Sequence, residues 1–296
     1  MSGVRNWPII LCLVTMLWTV GVYAESDLYP PLKTSQGWLQ GGEHDGVEYY
    51  LGIPYAEAPV GALRWRAPRK ASAWNGVREA RHFSLPCAQI GNFFATNNAE
   101  FFNKPFGSED CLYLNVWTPI VQIGPRPVLA FIHGGAGVYG AASLPLYNGE
   151  RLSRELGAVV VSMNYRLGMF GALHMDALHT GDPKEDFGNF GLLDQIKALE
   201  WVQNNIADFS GDVNNVTVMG HSAGCVSIWS LLKSPLASGK FKKAICLSGI
   251  PLTTSSDELA ERSQRFINNL KALSKVNSAF AQKNRDTNPQ QLRQAL

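Results

Sequence analysis

A chain of 296 residues, 46% apolar and 17% charged, has the make-up of a globular protein with enough apolar material for one large core. Its net charge of +2 excludes the strongly basic surface that nucleic acid or an anionic membrane selects. The short basic clusters Arg64-Trp65-Arg66 and Lys242-Lys243 read as solvated or locally paired groups.

Arg5 precedes an apolar run from Pro8 to Val20, and Val22-Tyr23-Ala24 offers a cleavage point before Glu25. This layout predicts a secretory signal peptide over residues 1–24. The run is short for a membrane span, and no other stretch is apolar enough to be one. The expected product is an exported domain over residues 25–296, secreted or periplasmic. Export makes the cysteines readable. Cys12 leaves with the leader, and Cys87, Cys111, Cys225 and Cys246 allow three pairings. Cys87 and Cys111 flank a loop that an oxidising compartment could close. Cys225 and Cys246 are expected to be free and packed as small hydrophobes.

Residues 25–81 are rich in Gly, Pro and Trp and predict short strands and irregular loops, with Tyr49–Tyr55 a strand running into a turn. The segment between Cys87 and Cys111 carries Phe93, Phe94, Phe101, Phe102 and Phe106. These rings either pack the loop onto the body or line a mouth over a site, and the two readings stand level.

Leu112–Trp117, Val128–Ile132 and Ala158–Met163 read as strands, the last two as apolar runs buried on both faces. Leu192, Ile196, Leu199, Val202 and Ile206 then recur at helical spacing. Val216–Met219 is a further strand, Val226, Trp229 and Leu232 with Ile228 and Leu231 beside them form the stripe of a buried helix, and Ala244–Leu247 is a buried strand. Strands alternating with helices predict an α/β fold with a mostly parallel sheet. Asp257 to about Lys275 predicts a polar-faced helix, and Asn288-Pro289 a helix start.

Two loops carry the chemistry. Gly220-His221-Ser222-Ala223-Gly224 follows a strand and opens a helix. In such a G-x-S-x-G turn the serine hydroxyl is pushed out above the sheet, and the next amide, that of Ala223, faces the same space. A serine in a tight turn with no chemistry is the bland alternative, weakened by the flanking strand and helix. The second loop, His133-Gly134-Gly135-Ala136-Gly137, follows a buried strand. Gly135–Gly140 also matches G-x-G-x-x-G, but Pro145 falls where a dinucleotide-binding helix should run, and no acidic residue ends the next strand. Used instead as a row of backbone donors, the loop completes an oxyanion hole. Both motifs point to acyl transfer at Ser222.

The chain resembles the type-B carboxylesterase and cholinesterase-like family of α/β hydrolases. The resemblance rests on Leu51–Ala56, Ser108–Trp117, the His133 loop, Asn164–Gly168, Asn189–Gln195 and the serine turn. It implies an α/β-hydrolase fold and a serine ester hydrolase acting on a small-molecule carboxylic ester, with no cofactor, metal or nucleic-acid partner. It implies Ser222 as nucleophile, Gly135, Ala136 and Ala223 as oxyanion donors, and Ser248 as a serine supporting the triad acid. It implies a Cys87–Cys111 disulfide and the ion pairs Arg64–Glu109 and Arg166–Asp194.

Three departures accompany it. Gly137 replaces a usual aromatic residue of the acyl pocket. The first disulfide loop has no tryptophan, Phe101 being the nearest ring, which argues against a choline ester. The family's triad acid and histidine lie well downstream of the serine. None of the six histidines, His44, His82, His133, His174, His179 and His221, follows Ser222. The expectation is therefore a fold truncated after the strand that follows the serine turn, with an exposed sheet edge and weak or no turnover. The alternative is a non-catalytic cholinesterase-like binding or adhesion protein.

Overall fold

The computed structural model describes residues 30–121 and 124–276. The expected signal peptide and the helix start at Asn288 lie outside them. A seven-stranded sheet forms the centre. In chain order its strands are β1 (Gly42–His44), β2 (Val47–Pro54), β3 (Tyr113–Pro119), β4 (Arg126–Ile132), β5 (Val159–Met163), β6 (Gly211–His221) and β7 (Lys243–Leu247). They lie side by side in the order β7-β6-β4-β5-β3-β2-β1.

The β7-β6-β4-β5 half is parallel, as strands separated by helices require. The β5-β3-β2-β1 half is antiparallel, so the sheet is mixed. A small separate sheet joins Leu32–Thr34, Gly37–Gln40 and Val77–Glu79.

The four main helices are α1 (Glu150–Leu156), α2 (Phe190–Asn205), α3 (Ala223–Lys233) and α4 (Ser256–Val276). Alternate residues of each strand face opposite sides of the sheet. Val128, Ala130 and Ile132 of β4 and Val159, Val161 and Met163 of β5 pack with Ile196, Leu199 and Val202 of α2 and Ile228 and Leu231 of α3. Leu129 and Val160 face the other way, where they join Trp117, Val47 and Leu152 of α1. The core thus lies on both faces of β4 and β5, the strands whose apolar runs predict burial on both sides.

Two expectations change here. In α3 Trp229 and Leu232 are exposed, whereas Ile228 and Leu231 are buried. The helix therefore turns only the Ile228–Leu231 side of the expected stripe inward. Among the described residues β7 is not buried on both faces but forms the edge of the sheet, the exposed edge also expected there, with Ile245 and Leu247 exposed.

Cys225 and Cys246 are not free either. Their Cα atoms are 4.7 Å apart, within the span that a disulfide bridges. The cause is the register: Gly220 pairs with Cys246 across β6 and β7, and Cys225 sits in the first turn of the helix that leaves β6. Cys87 and Cys111 form the expected disulfide, with Cα atoms 4.9 Å apart. No helix among the described residues is long and apolar enough to cross a membrane.

Candidate active site

The parallel strands β4, β6 and β7 end side by side, at the edge where open α/β sheets gather their functional groups. At the end of β6 the chain passes through Ser222 directly into α3. Ser222 has φ 53° and ψ −117°, a conformation that L-residues avoid and that costs on the order of 1–3 kcal/mol.

Its surroundings hold it there. The Ser222 amide donates to Leu247 of β7 at 2.8 Å, and its carbonyl accepts from Val226 at 3.1 Å. The flanking glycines are steric necessities. A Cβ on Gly220 would lie 2.3 Å from the carbonyl carbon of Gly224, and one on Gly224 would lie 2.1 Å from the Ile132 oxygen. The turn is pressed against the end of β4 with no room for a methyl group. Ser222 Oγ has no hydrogen-bond partner among the described residues.

The loop after β4 approaches the serine. A methyl on Gly134 would sit 3.1 Å from Ser222 Cβ and 2.9 Å from the His221 oxygen. Gly135, Ala136 and Gly137 all have positive φ, at 112°, 56° and 71°. A backbone curled in this way is suited to presenting its amides to an anion. The amides of Val138 and Tyr139 fold back onto the Gly135 carbonyl at 3.0 and 2.9 Å, while the Gly168 amide clasps the Gly137 carbonyl at 2.8 Å. Gln89 grips the far end, accepting from the Gly140 amide and donating to its carbonyl, both at 2.8 Å. The amides of Gly135 and Ala136 donate to no protein acceptor among the described residues. No helix opens at Gly140, and Pro145 begins a short 3-10 turn, so the dinucleotide reading has no structural support.

His133 is buried and stacks on Tyr165 with ring centroids 4.4 Å apart. Its Nδ1 meets the Gly134 carbonyl at 2.8 Å. Burial lowers its pKa to about 4, so the ring is neutral near neutral pH. The Tyr165 hydroxyl donates to the His133 carbonyl at 2.9 Å. His221 adjoins the serine in sequence, but its Nδ1 faces the Tyr147 hydroxyl at 3.3 Å. Ser248 follows β7 directly, with φ 58°, and is exposed.

The carboxylesterase family model matches residues 29–296 of this chain. The chain belongs to the carboxylesterase family. It is 42% identical over 236 residues to the para-nitrobenzyl esterase of Bacillus subtilis, covering 80% of this chain and 47% of that protein. It is 45% identical over 231 residues to the fumonisin B1 esterase of Sphingopyxis macrogoltabida, covering 77% and 42%. A solved para-nitrobenzyl esterase structure superposes with a TM-score of 0.75 at 40% identity, over 81% of this chain and 48% of the other. The chain thus spans about half the length of the relatives it matches.

Both ion pairs implied by the resemblance to carboxylesterases are present. Arg64 meets both oxygens of Glu109 through its Nε and a terminal nitrogen. Arg166 meets both oxygens of Asp194 at 2.7 and 2.8 Å, and its own amide donates to the same carboxylate at 3.0 Å.

Ser222, Ala223, Ser248 and the Gly134–Ala136 loop all sit at the ends of β4, β6 and β7. Sequence reasoning missed three residues beside them: Tyr165, Gln89 and Tyr147. Tyr165 carried a signal, since it lies in the quoted Asn164–Gly168 stretch. Gln89 and Tyr147 carried none, because they meet Gly140 and His221 only through the fold.

Proposed function

We propose that Ser222 is the nucleophile of a carboxylic ester hydrolase working through an acyl-enzyme. Its Oγ adds to the ester carbonyl carbon as the hydroxyl gives up its proton to solvent, and the negative charge collects on the carbonyl oxygen. Collapse expels the alcohol, which takes up a proton, and leaves the acyl group on Ser222. Water then attacks the acyl carbon, releasing the acid and restoring the hydroxyl. The observation that carries this reading is the strained serine held beside a loop whose Gly135 and Ala136 amides have no protein acceptor among the described residues. The Gly135, Ala136 and Ala223 amides are assigned to the oxyanion, where one well-aimed donor contributes on the order of 3 kcal/mol to the transition state. Ser248, next to the residue that anchors the Ser222 amide, is assigned to position the acid. The chemistry calls for no metal or organic cofactor.

The substrate class is a small-molecule carboxylic ester, in keeping with relatives named para-nitrobenzyl esterase and fumonisin B1 esterase. An exported location is part of the reading, because the Cys87–Cys111 disulfide needs an oxidising compartment.

Serine without a base is a weak nucleophile. Among the described residues no histidine bonds to Ser222: His133 is buried in the neighbouring loop, and His221 faces Tyr147. Residues 1–296 are therefore expected to turn over esters slowly, by attack of an unactivated Ser222 at a rate far below that of a serine paired with a base. Hydrolysis of a short-chain nitrophenyl ester by the purified chain tests both claims. Slow hydrolysis that disappears in Ser222→Ala is the expected result. Hydrolysis that survives the substitution overturns the assignment of the nucleophile. Turnover matching the para-nitrobenzyl esterase of Bacillus subtilis overturns the claim of weak activity alone.

A further inference from the structure

Away from the serine, His174, Asp176 and His179 bring three metal-ligating atoms within 4.8 Å of one another. We propose that they form a binding site for a divalent transition-metal ion of the zinc type. The local fold explains how three residues so close in sequence converge. Asp176–Leu178 is a 3-10 turn, and the His179 amide closes it onto the Asp176 carbonyl. Residues three apart eclipse in such a turn, so Asp176 and His179 share a side. His179 Nε2 lies 3.9 Å from Asp176 Oδ1. His174 reaches the same place from the preceding strand of loop, its ring 5.3 Å from that of His179.

A surface histidine beside an aspartate needs no metal, and two further observations separate this cluster from such a pair. His174 Nδ1 lies 2.9 Å from the Asp186 carbonyl. A carbonyl can only accept, so Nδ1 carries the proton and the lone pair is left on Nε2. Metal-ligating imidazoles are oriented by a backbone carbonyl in this way.

The backbone beneath the cluster is also fixed. The His174 amide donates to Ser263 Oγ of α4 at 3.0 Å, and the Thr180 and Gly181 amides donate to the Asp186 carboxylate at 2.7 and 3.1 Å. Leu178 and Met175 pack into a cluster with Trp65, Phe190 and Phe266. The scaffold is held while the donors remain reachable, the Asp176 side chain being 97% exposed.

Two imidazoles and a carboxylate suit zinc with water in the fourth position, and not the all-oxygen sites of calcium or magnesium. Tetrahedral zinc with bonds of about 2.0–2.1 Å needs donors about 3.4 Å apart. Rotation of the exposed Asp176 and His179 side chains supplies that closure. A bound ion would tie the loop to α4 through His174 and Ser263, and would stabilise the chain by mass action.

The test is titration of the full chain, free of any histidine tag, with Zn2+ against a chromogenic chelator. Asp176→Asn and His179→Gln act on exposed side chains and leave the fold intact. His44→Gln is the control, since His44 pairs with Glu150 elsewhere on the surface. The expected result is one zinc per chain, with affinity at least about tenfold lower in both site variants and unchanged in the control. No stoichiometric binding, or any other pattern among the variants, overturns the proposal.

Discussion

The Tyr165 hydroxyl donates to the main-chain carbonyl of His133 at 2.9 Å while the two rings stack with centroids 4.4 Å apart. One residue just past β5 thus fixes both the backbone and the side chain at the root of the Gly134–Ala136 loop. Tyr165→Phe keeps the stack and deletes the donor, leaving a buried carbonyl unpaired. The expected loss of stability is about 1–3 kcal/mol. The loosening should be local, so amide hydrogen exchange should quicken at residues 134–137 more than in β4. Uniform exchange across loop and strand would contradict that anchoring role.

Gly224 and Gly239 separate two reasons for glycine. A Cβ on Gly224 would lie 2.1 Å from the Ile132 oxygen, a main-chain atom of a central strand that cannot move aside. Gly239 has φ +76° and open space around it, so only its backbone conformation resists a side chain. Gly224→Ala is expected to cost more than about 4 kcal/mol, and Gly239→Ala about 1–2 kcal/mol. Urea unfolding of both variants measures the gap. Equal midpoints would mean that the serine turn is not pressed against β4.

The parts of the fold readable in advance were those whose cause is local. Val128–Ile132 is apolar at every position, and Val159–Met163 at every position but the buried Ser162, because both faces are covered. Gly220 and Gly224 are glycines because each would collide with backbone. The Cys225–Cys246 contact was misread because it depends on the pairing of Gly220 with Cys246 across two strands. The grip of Gln89 on Gly140 spans 51 residues of chain and leaves no periodic trace. The exposure of Trp229 and Leu232 shows the same limit from the other side. Apolar spacing marks a helical face, while the neighbouring strands decide which face is covered.

Arg166 and Asp194 form a buried ion pair in which the carboxylate also accepts the Arg166 amide. Asp194→Ala would strand a guanidinium in the core, and the expected cost is about 3–5 kcal/mol. Replacing both charges with apolar groups, Arg166→Met with Asp194→Leu, removes the stranded charge and should recover part of the loss. Chemical denaturation of the single and double variants checks this. A double variant no more stable than Asp194→Ala would show that the stranded guanidinium does not set the loss, since the Arg166 amide loses its acceptor in both.

Stability should fall with acid in a window set by His133. Burial lowers its folded-state pKa to about 4, against about 6.5 in an unfolded chain. Between those values the unfolded state binds the proton and the folded state does not. The contribution of His133 is therefore complete above about pH 6.5 and is lost as pH falls toward about 4. The full loss amounts to about 3 kcal/mol. His133→Asn removes the titrating group and should flatten this part of the profile. Urea unfolding from about pH 7 down to about pH 4.5, on wild type and variant, gives the two slopes. Parallel slopes would assign the acid sensitivity to other groups.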